Sequence, residues 1–266
     1  MAMIPARKGV VISVYDPNPG ARKTVVFLHG WPLSHAMFEY QFAALRDCRC
    51  IGIDLHGFGK SAAPLEKYDY NSFADDLAAV VRQMNLQRFT LLGFSMGGAA
   101  ALRYMSRYRG NGVSRLALVA AAAPVFTRRE DFPFGMAKSQ VDDMIYTALR
   151  SRPQLLESFA ADFFGRDPGE PMRRWFRALC LAQSPAGTLG SLFALRDEDL
   201  RPDLGKVRVP TGIFHGKKDR ICPFSLGVEL NKSLPDSTLF AFQNSGHAVF
   251  YDELDAFNRA LAGFIG

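Results

Sequence analysis

A chain of 266 residues with 48% hydrophobic and 22% charged side chains is long enough to bury a large core and lies outside the composition range of disordered or collagen-like chains. Its formal charge of +6 and pI near 9.2 arise from basic residues scattered among acidic ones, with no basic stripe of the kind that binds nucleic acid. The longest apolar run, Leu116–Phe126, falls short of the about 20 residues needed to cross a bilayer, so neither a membrane nor nucleic acid is expected as a partner. Cys48, Cys50, Cys180 and Cys222 show no C-x-x-C spacing and no paired framework. The first fifteen residues hold no apolar stretch ahead of a small-residue cleavage site. Free thiols in a cytoplasmic protein are the expectation.

In chain order, Val10–Tyr15 is apolar and β-branched and stops at the turn residues Asp16-Pro17-Asn18-Pro19-Gly20. Thr24–Leu28 is apolar throughout, as a strand buried on both faces would be, and runs into His29-Gly30-Trp31-Pro32. Met37–Leu45 reads as a short helix and Cys50–Asp54 as the next strand. Ser72 and Asp75 have the spacing of a capping box that opens a helix to about Met84. Arg88–Leu92 predicts a strand, the run from Ala99 to Tyr108 a helix, and Leu116–Ala120 a further strand. Strand alternating with helix implies an α/β fold with a mostly parallel sheet flanked by helices. From about Val125 to about Leu195 the alternation stops. Helical runs broken at Pro133, Pro153, Pro168, Pro171 and Pro185 carry many large apolar groups there. These features predict a helical cap, residues 125–195, inserted into a core made of residues 1–124 and 196–266. Strands resume at Val209–Phe214 and Thr238–Phe242, and a helix from Phe250 to Phe264 closes the chain.

The stretch Gly93-Phe94-Ser95-Met96-Gly97-Gly98 joins a predicted strand directly to a predicted helix, which is the context of a G-x-S-x-G nucleophile elbow. Ser95 would stand at a helix N-terminus, where the unpaired N–H of Met96 can stabilise an oxyanion. A serine hydroxyl needs a base and an orienting carboxylate, and on such a fold they follow in the order Ser, acid, His. Beyond Ser95 only His215 and His247 remain. His215 ends a strand ahead of any suitable acid, whereas His247 lies in a loop at the sheet end where the elbow opens. Asp219, just past the strand 209–214, is the candidate acid, since Asp203 falls at the opposite sheet edge and Asp236 reads as a turn residue. The second oxyanion donor is expected after the strand 24–28. Pro32 has no N–H, so Trp31 is the candidate, and its indole would also wall the pocket. Phe126, Phe159, Phe163 and Ile221 are the other candidate pocket walls. His29, His35 and His56 are not spaced as metal ligands, and Gly57–Ser61 lacks the spacing of a phosphate loop. Arg173-Arg174-Trp175-Phe176-Arg177 reads as an amphipathic cap helix with Trp175 and Phe176 inward.

The motifs F-L-H-G-W-P-L-S (27–34), D-L-H-G-F-G-K-S (54–61), G-F-S-M-G-G (93–98), G-K-K-D (216–219) and S-G-H (245–247) resemble those of the α/β-hydrolase family of bacterial arylesterases, also called cofactor-free, non-haem haloperoxidases or perhydrolases. The resemblance covers almost the whole chain. It implies the α/β-hydrolase fold with an inserted helical cap, no metal or cofactor, and a small carboxylic ester as substrate. It also implies Ser95, Asp219 and His247 as triad, with the N–H groups of Trp31 and Met96 as oxyanion hole. Proline after the oxyanion tryptophan resembles members associated with perhydrolysis, in which hydrogen peroxide replaces water. The chain departs from the family at Leu55-His56-Gly57, where many members carry arginine, and in the middle of the cap. Family members often self-associate, so a homo-oligomer stays open. Two other readings also stay open: a ligand sensor on the same fold that signals through a partner, and a carbon–carbon bond hydrolase.

Overall fold

In a computed structural model covering Met1–Gly266, eight strands form one sheet. They are β1 (Ala2–Arg7), β2 (Val10–Tyr15), β3 (Lys23–Leu28), β4 (Cys48–Ile53), β5 (Phe89–Phe94), β6 (Val113–Val119), β7 (Thr211–Gly216) and β8 (Ser237–Phe242), in the spatial order β1-β2-β4-β3-β5-β6-β7-β8. The β1–β2 and β2–β4 pairings are antiparallel, and all others are parallel. Every residue of β5 and β7 is buried, which explains why these strands, His215 apart, are made of apolar or small residues rather than alternating. The chain therefore has the α/β-hydrolase fold, a mostly parallel sheet flanked by helices.

Helices α1 (Glu39–Ala44), α2 (Tyr70–Gln83) and α3 (Met96–Arg107) connect the first parallel strands. Between β6 and β7 come α4 (Lys138–Phe163), α5 (Glu170–Leu181), α6 (Pro185–Asp197) and α7 (Arg201–Leu204), while α8 (Phe224–Ser233), α9 (Val249–Asp252) and α10 (Leu254–Ile265) complete the chain. Helix α4 is bent at Ser151, whose φ and ψ of −153° and 74° are not helical. Pro153 follows, and its ring and missing N–H do not fit an unbroken helix. Several hydrogen bonds fasten the insert to the sheet end, three of them to the loops after β3 and β4. Trp31 Nε1 donates to Thr188 O at 2.8 Å, the Gly59 N–H to Gln183 Oε1 at 2.6 Å, and Ser184 Oγ to Gly57 O at 2.7 Å. No single helix is long and apolar enough to cross a membrane.

Four details differ from the sequence expectation. Strand β1 was not expected; it is an exposed edge containing Pro5, a residue a sheet tolerates only at its margin. The cap of α2 is Asp69, not Ser72: its carboxylate accepts from the Ser72 N–H at 2.8 Å and hydroxyl at 2.6 Å, so the helix starts earlier. Residues 125–137 hold no helix but a loop with a turn at Glu130–Asp131 and bridges Thr127–Met136 and Arg129–Phe132, and helix begins only at Lys138. The closing helix is divided at Glu253.

Beneath α2, His56 Nδ1 lies 2.5 Å from Asp76 Oδ2, with both side chains buried. Arg7 Nε donates to the other carboxylate oxygen at 3.2 Å and so ties β1 to α2. This pair occupies the position where the sequence departs from the arylesterase pattern. Removing one partner of a buried pair strands the other, at a cost of about 3–5 kcal/mol. Asp76→Ala is expected to lower Tm by several degrees in a thermal melt, and an unchanged Tm would show that the pair carries no net stability.

Candidate active site

The carboxyl ends of four parallel strands converge on one place, where ligands bind in open α/β sheets. β3 leads into His29–Ser34, β5 into Ser95, β7 into Asp219 and β8 into His247. The turn from β5 to α3 has almost no room. A Cβ on Gly97 would lie 2.4 Å from Leu28 O and 2.5 Å from His29 O, and one on Gly93 would lie 2.4 Å from Gly97 O. Backbone thus packs on backbone, and Ser95 takes φ 52° and ψ −119°, a conformation costing about 1–3 kcal/mol for a residue with a side chain. Part of that strain is offset by hydrogen bonds: Ser95 N–H donates to Val119 O at 2.9 Å, and Ala122 N–H to Ser95 O at 3.0 Å. Met96 begins α3, so its N–H has no partner within the helix.

Asp219 is held from several sides. Its Oδ1 accepts from the N–H groups of Ile221 and Cys222 at 2.9 and 2.8 Å, and its Oδ2 lies 2.8 Å from His247 Nδ1. His215 Nε2 stands 3.4 Å from the same Oδ2 and 2.7 Å from Cys222 O. Burial pushes the Asp219 carboxyl up, but the charge of His247 and the hydrogen bonds from both histidines outweigh it and bring it down to about 2. The loop bearing His247 is fixed in turn. Asp252 Oδ2 accepts from Gly246 and Gly165 N–H, each at 2.8 Å, Glu253 accepts from Ser245 Oγ at 2.7 Å, and the Ala248 N–H donates to Phe163 O at 2.9 Å. The imidazole packs against Phe94, with ring centroids 4.7 Å apart.

His247 Nε2 is buried and has no protein hydrogen-bond partner. No hydrogen bond joins Ser95 to His247 in this conformation. Burial and the charge of Asp219 push the Cys222 thiol well above its ordinary value, so that it stays protonated. His29 has a separate role. Its Nδ1–H donates to Gly30 O at 2.9 Å and its Nε2 accepts from Leu55 N–H at 3.0 Å, stitching the β3 and β4 loops together. Burial lowers its pKa to about 4 and keeps it neutral.

Ser95 and Trp31 open into a cavity of about 340 Å³ between the sheet end and the insert. Of the candidate pocket walls, Phe126, Phe159 and Ile221 line this cavity and Phe163 does not. Phe163 is fully buried behind the wall, packed on Phe94, Phe176 and the edge of His247. Both limbs of the bent α4 contribute to the cavity, the first through Gln140, Asp143 and Met144 and the second through Leu155, Ser158 and Asp162. Neither these residues nor Arg220 carried a sequence signal, since their convergence depends on the bend. His215 did carry one, its spacing of four from Asp219, but the tight turn that brings the two together is visible only in three dimensions. No group of three or more His, Cys, Asp or Glu side chains could hold a metal ion.

A family model described as alpha/beta hydrolase fold matches residues 23–254. The AB hydrolase superfamily protein YisY of Bacillus subtilis is 46% identical over 95% of each chain. Among solved structures, the esterase EaEST of Exiguobacterium antarcticum superposes with a TM-score of 0.96 at 44% identity, covering 99% of this chain and 98% of its own. A bromoperoxidase of Bacillus anthracis superposes with a TM-score of 0.94 at 33% identity over 99% of both.

The crowding at the elbow can be tested with two glycines of opposite setting. Gly97→Ala must push aside two backbone carbonyls and is expected to destabilise the protein by about 3 kcal/mol. Gly263 in α10 has nothing within 4 Å of a Cβ, so Gly263→Ala should leave Tm unchanged or raise it slightly. Equal effects in thermal melts would contradict the close-contact account.

Proposed function

Because the chain belongs to the α/β-hydrolase family, we propose that it is a serine hydrolase that cleaves small carboxylic esters through an acyl-enzyme. One observation carries this reading above the others. Ser95 lines the cavity at the sheet end, and close by is a histidine whose Nδ1 is held by Asp219 while its Nε2 is left without a partner. In unliganded enzymes the nucleophile–base hydrogen bond is often unformed and tightens with substrate, so the unpartnered Nε2 is compatible with the role.

In the proposed reaction, Ser95 Oγ attacks the ester carbonyl and passes its proton to His247 Nε2. Asp219 stabilises the imidazolium. The N–H groups of Met96 and Trp31 receive the charge on the carbonyl oxygen. Collapse of the tetrahedral intermediate breaks the bond to the alcohol, which takes the proton from His247. Water, deprotonated by the same imidazole, then releases the acid. The bromoperoxidase relative and Pro32 favour hydrogen peroxide as a second acceptor, giving a peracid. Trp31, Phe126, Phe159 and Ile221 suit short acyl or aryl groups. The four cysteines are unpaired and buried, which fits a reducing compartment such as the cytoplasm.

Stopped-flow hydrolysis of p-nitrophenyl acetate tests this reading. Ser95→Ala and His247→Ala should each lower kcat by about three orders of magnitude or more. Activity retained in either would remove that residue from the mechanism, and no turnover by the unsubstituted protein would favour a ligand sensor. Asp219 stays anionic down to about 2, so loss of its carboxylate should add no ionisation to the acid limb of kcat/KM, and a slope of two in that limb would contradict the assignment.

A further inference from the structure

A second cavity, of about 330 Å³, lies beside the first. Its walls include Ala160 and Phe164 at the end of α4, Arg166 and Asp167 in the next loop, Arg173 and Arg177 one turn apart on α5, and Arg220 after β7. Four guanidinium groups thus meet one carboxylate in the lining. Arg220 also lines the cavity that holds Ser95, and it follows Asp219 directly in the chain. One side chain is therefore common to both cavities.

Each arginine already has a partner, and for three of the four it is a replaceable one. Arg173 pairs with Asp167 at 2.5 Å and Glu170 at 3.3 Å, Arg220 with Asp162 at 3.3 Å, and Arg177 with Glu157. Arg166 donates to Asp252 O at 2.9 Å. The four carboxylates are all more than half exposed, and such ion pairs contribute little to stability. Exchanging them for an incoming anion costs correspondingly little. A donor is also left over, since Arg177 Nε is buried without a partner. Guanidinium forks match the paired oxygens of carboxylate and phosphate, forming two parallel hydrogen bonds. The apolar side chains around Ser95, Phe126, Leu155, Phe159 and Ile221, suit the uncharged part of a molecule, while the arginine cavity suits a charged end.

We propose that this arginine-lined cavity receives an anionic group, carboxylate or phosphate, on the same substrate whose ester is attacked by Ser95. The proposal rests on the serine hydrolase reading and narrows its substrate class to esters or thioesters that carry a negative charge away from the reacting carbonyl.

Two substrate pairs test it and separate the sources of charge. Monomethyl and dimethyl glutarate differ by a carboxylate, and S-acetylpantetheine with and without its 4′-phosphate differs by a phosphate. The protein should prefer the anionic member of at least one pair, judged by kcat/KM. In the Arg173→Gln/Arg177→Gln variant that preference should fall by about tenfold or more. A charge-matched control, Arg109→Gln/Arg208→Gln, removes two cations elsewhere on the surface and should keep it. No preference in the unsubstituted protein, or a preference kept in the first variant, would overturn the proposal. Calorimetric titration of Ser95→Ala with glutarate and with inorganic phosphate reads the site without turnover. Binding there that is lost when Arg173→Gln/Arg177→Gln is added would uphold the anion site even if ester hydrolysis failed. Absence of binding to either probe, with ester hydrolysis intact, would reject the site alone.

Discussion

The structure depends on one tight contact, in which the first turn of α3 is pressed against the ends of β3 and β5 with no side chain between the backbones. At Gly93 and Gly97 there is no space even for a methyl group. That proximity leaves Ser95 in a left-handed conformation, at the mouth of the sheet and at the start of a helix whose first N–H groups are unpaired. The strain is local and the stabilisation distributed. Hydrogen bonds from β6 and the following loop hold the turn, and the fully buried Phe94 anchors it from below.

Around that turn the remaining groups are held more firmly than hydrogen bonding between side chains alone would achieve. Asp219 is fixed by two backbone amides before it meets either histidine. The loop of His247 hangs on two carboxylates of the last helical segments and on a carbonyl at the end of α4. Groups placed in this way need little reorganisation when charge develops beside them, the condition under which electrostatic stabilisation is largest.

Much of this was legible in the sequence because it is local. A serine between glycines at a strand–helix junction implies the crowded turn, and uninterrupted apolar strands imply a sheet covered on both sides. The order of acid and histidine after the serine then leaves few candidates. What was not legible is nonlocal or marginal. β1 is a short, exposed edge with a proline in its middle, so it has neither a β-branched run nor an alternating pattern to read. The α2 cap was displaced because serine and aspartate occur within three residues of each other, and the extended Asp69 with its charge is the better acceptor. Phe159 and Phe163 are one helical turn apart and look equivalent in sequence, but the first reaches the cavity and the second supports the imidazole. The cavity walls of the insert come together only through the bend at Ser151.

The four consecutive residues after the β7 turn have an unusual density of duties. Asp219 holds the imidazole, Arg220 stands in two cavities, Ile221 walls one of them, and the amides of Ile221 and Cys222 grip the carboxylate. Lengthening this loop by a single residue would displace all of these together. The insert is different, because it faces the cavity of Ser95 through side chains on separate helical limbs. Changes in substrate range during divergence should therefore accumulate in α4 and α5, while this tetrapeptide stays fixed in length.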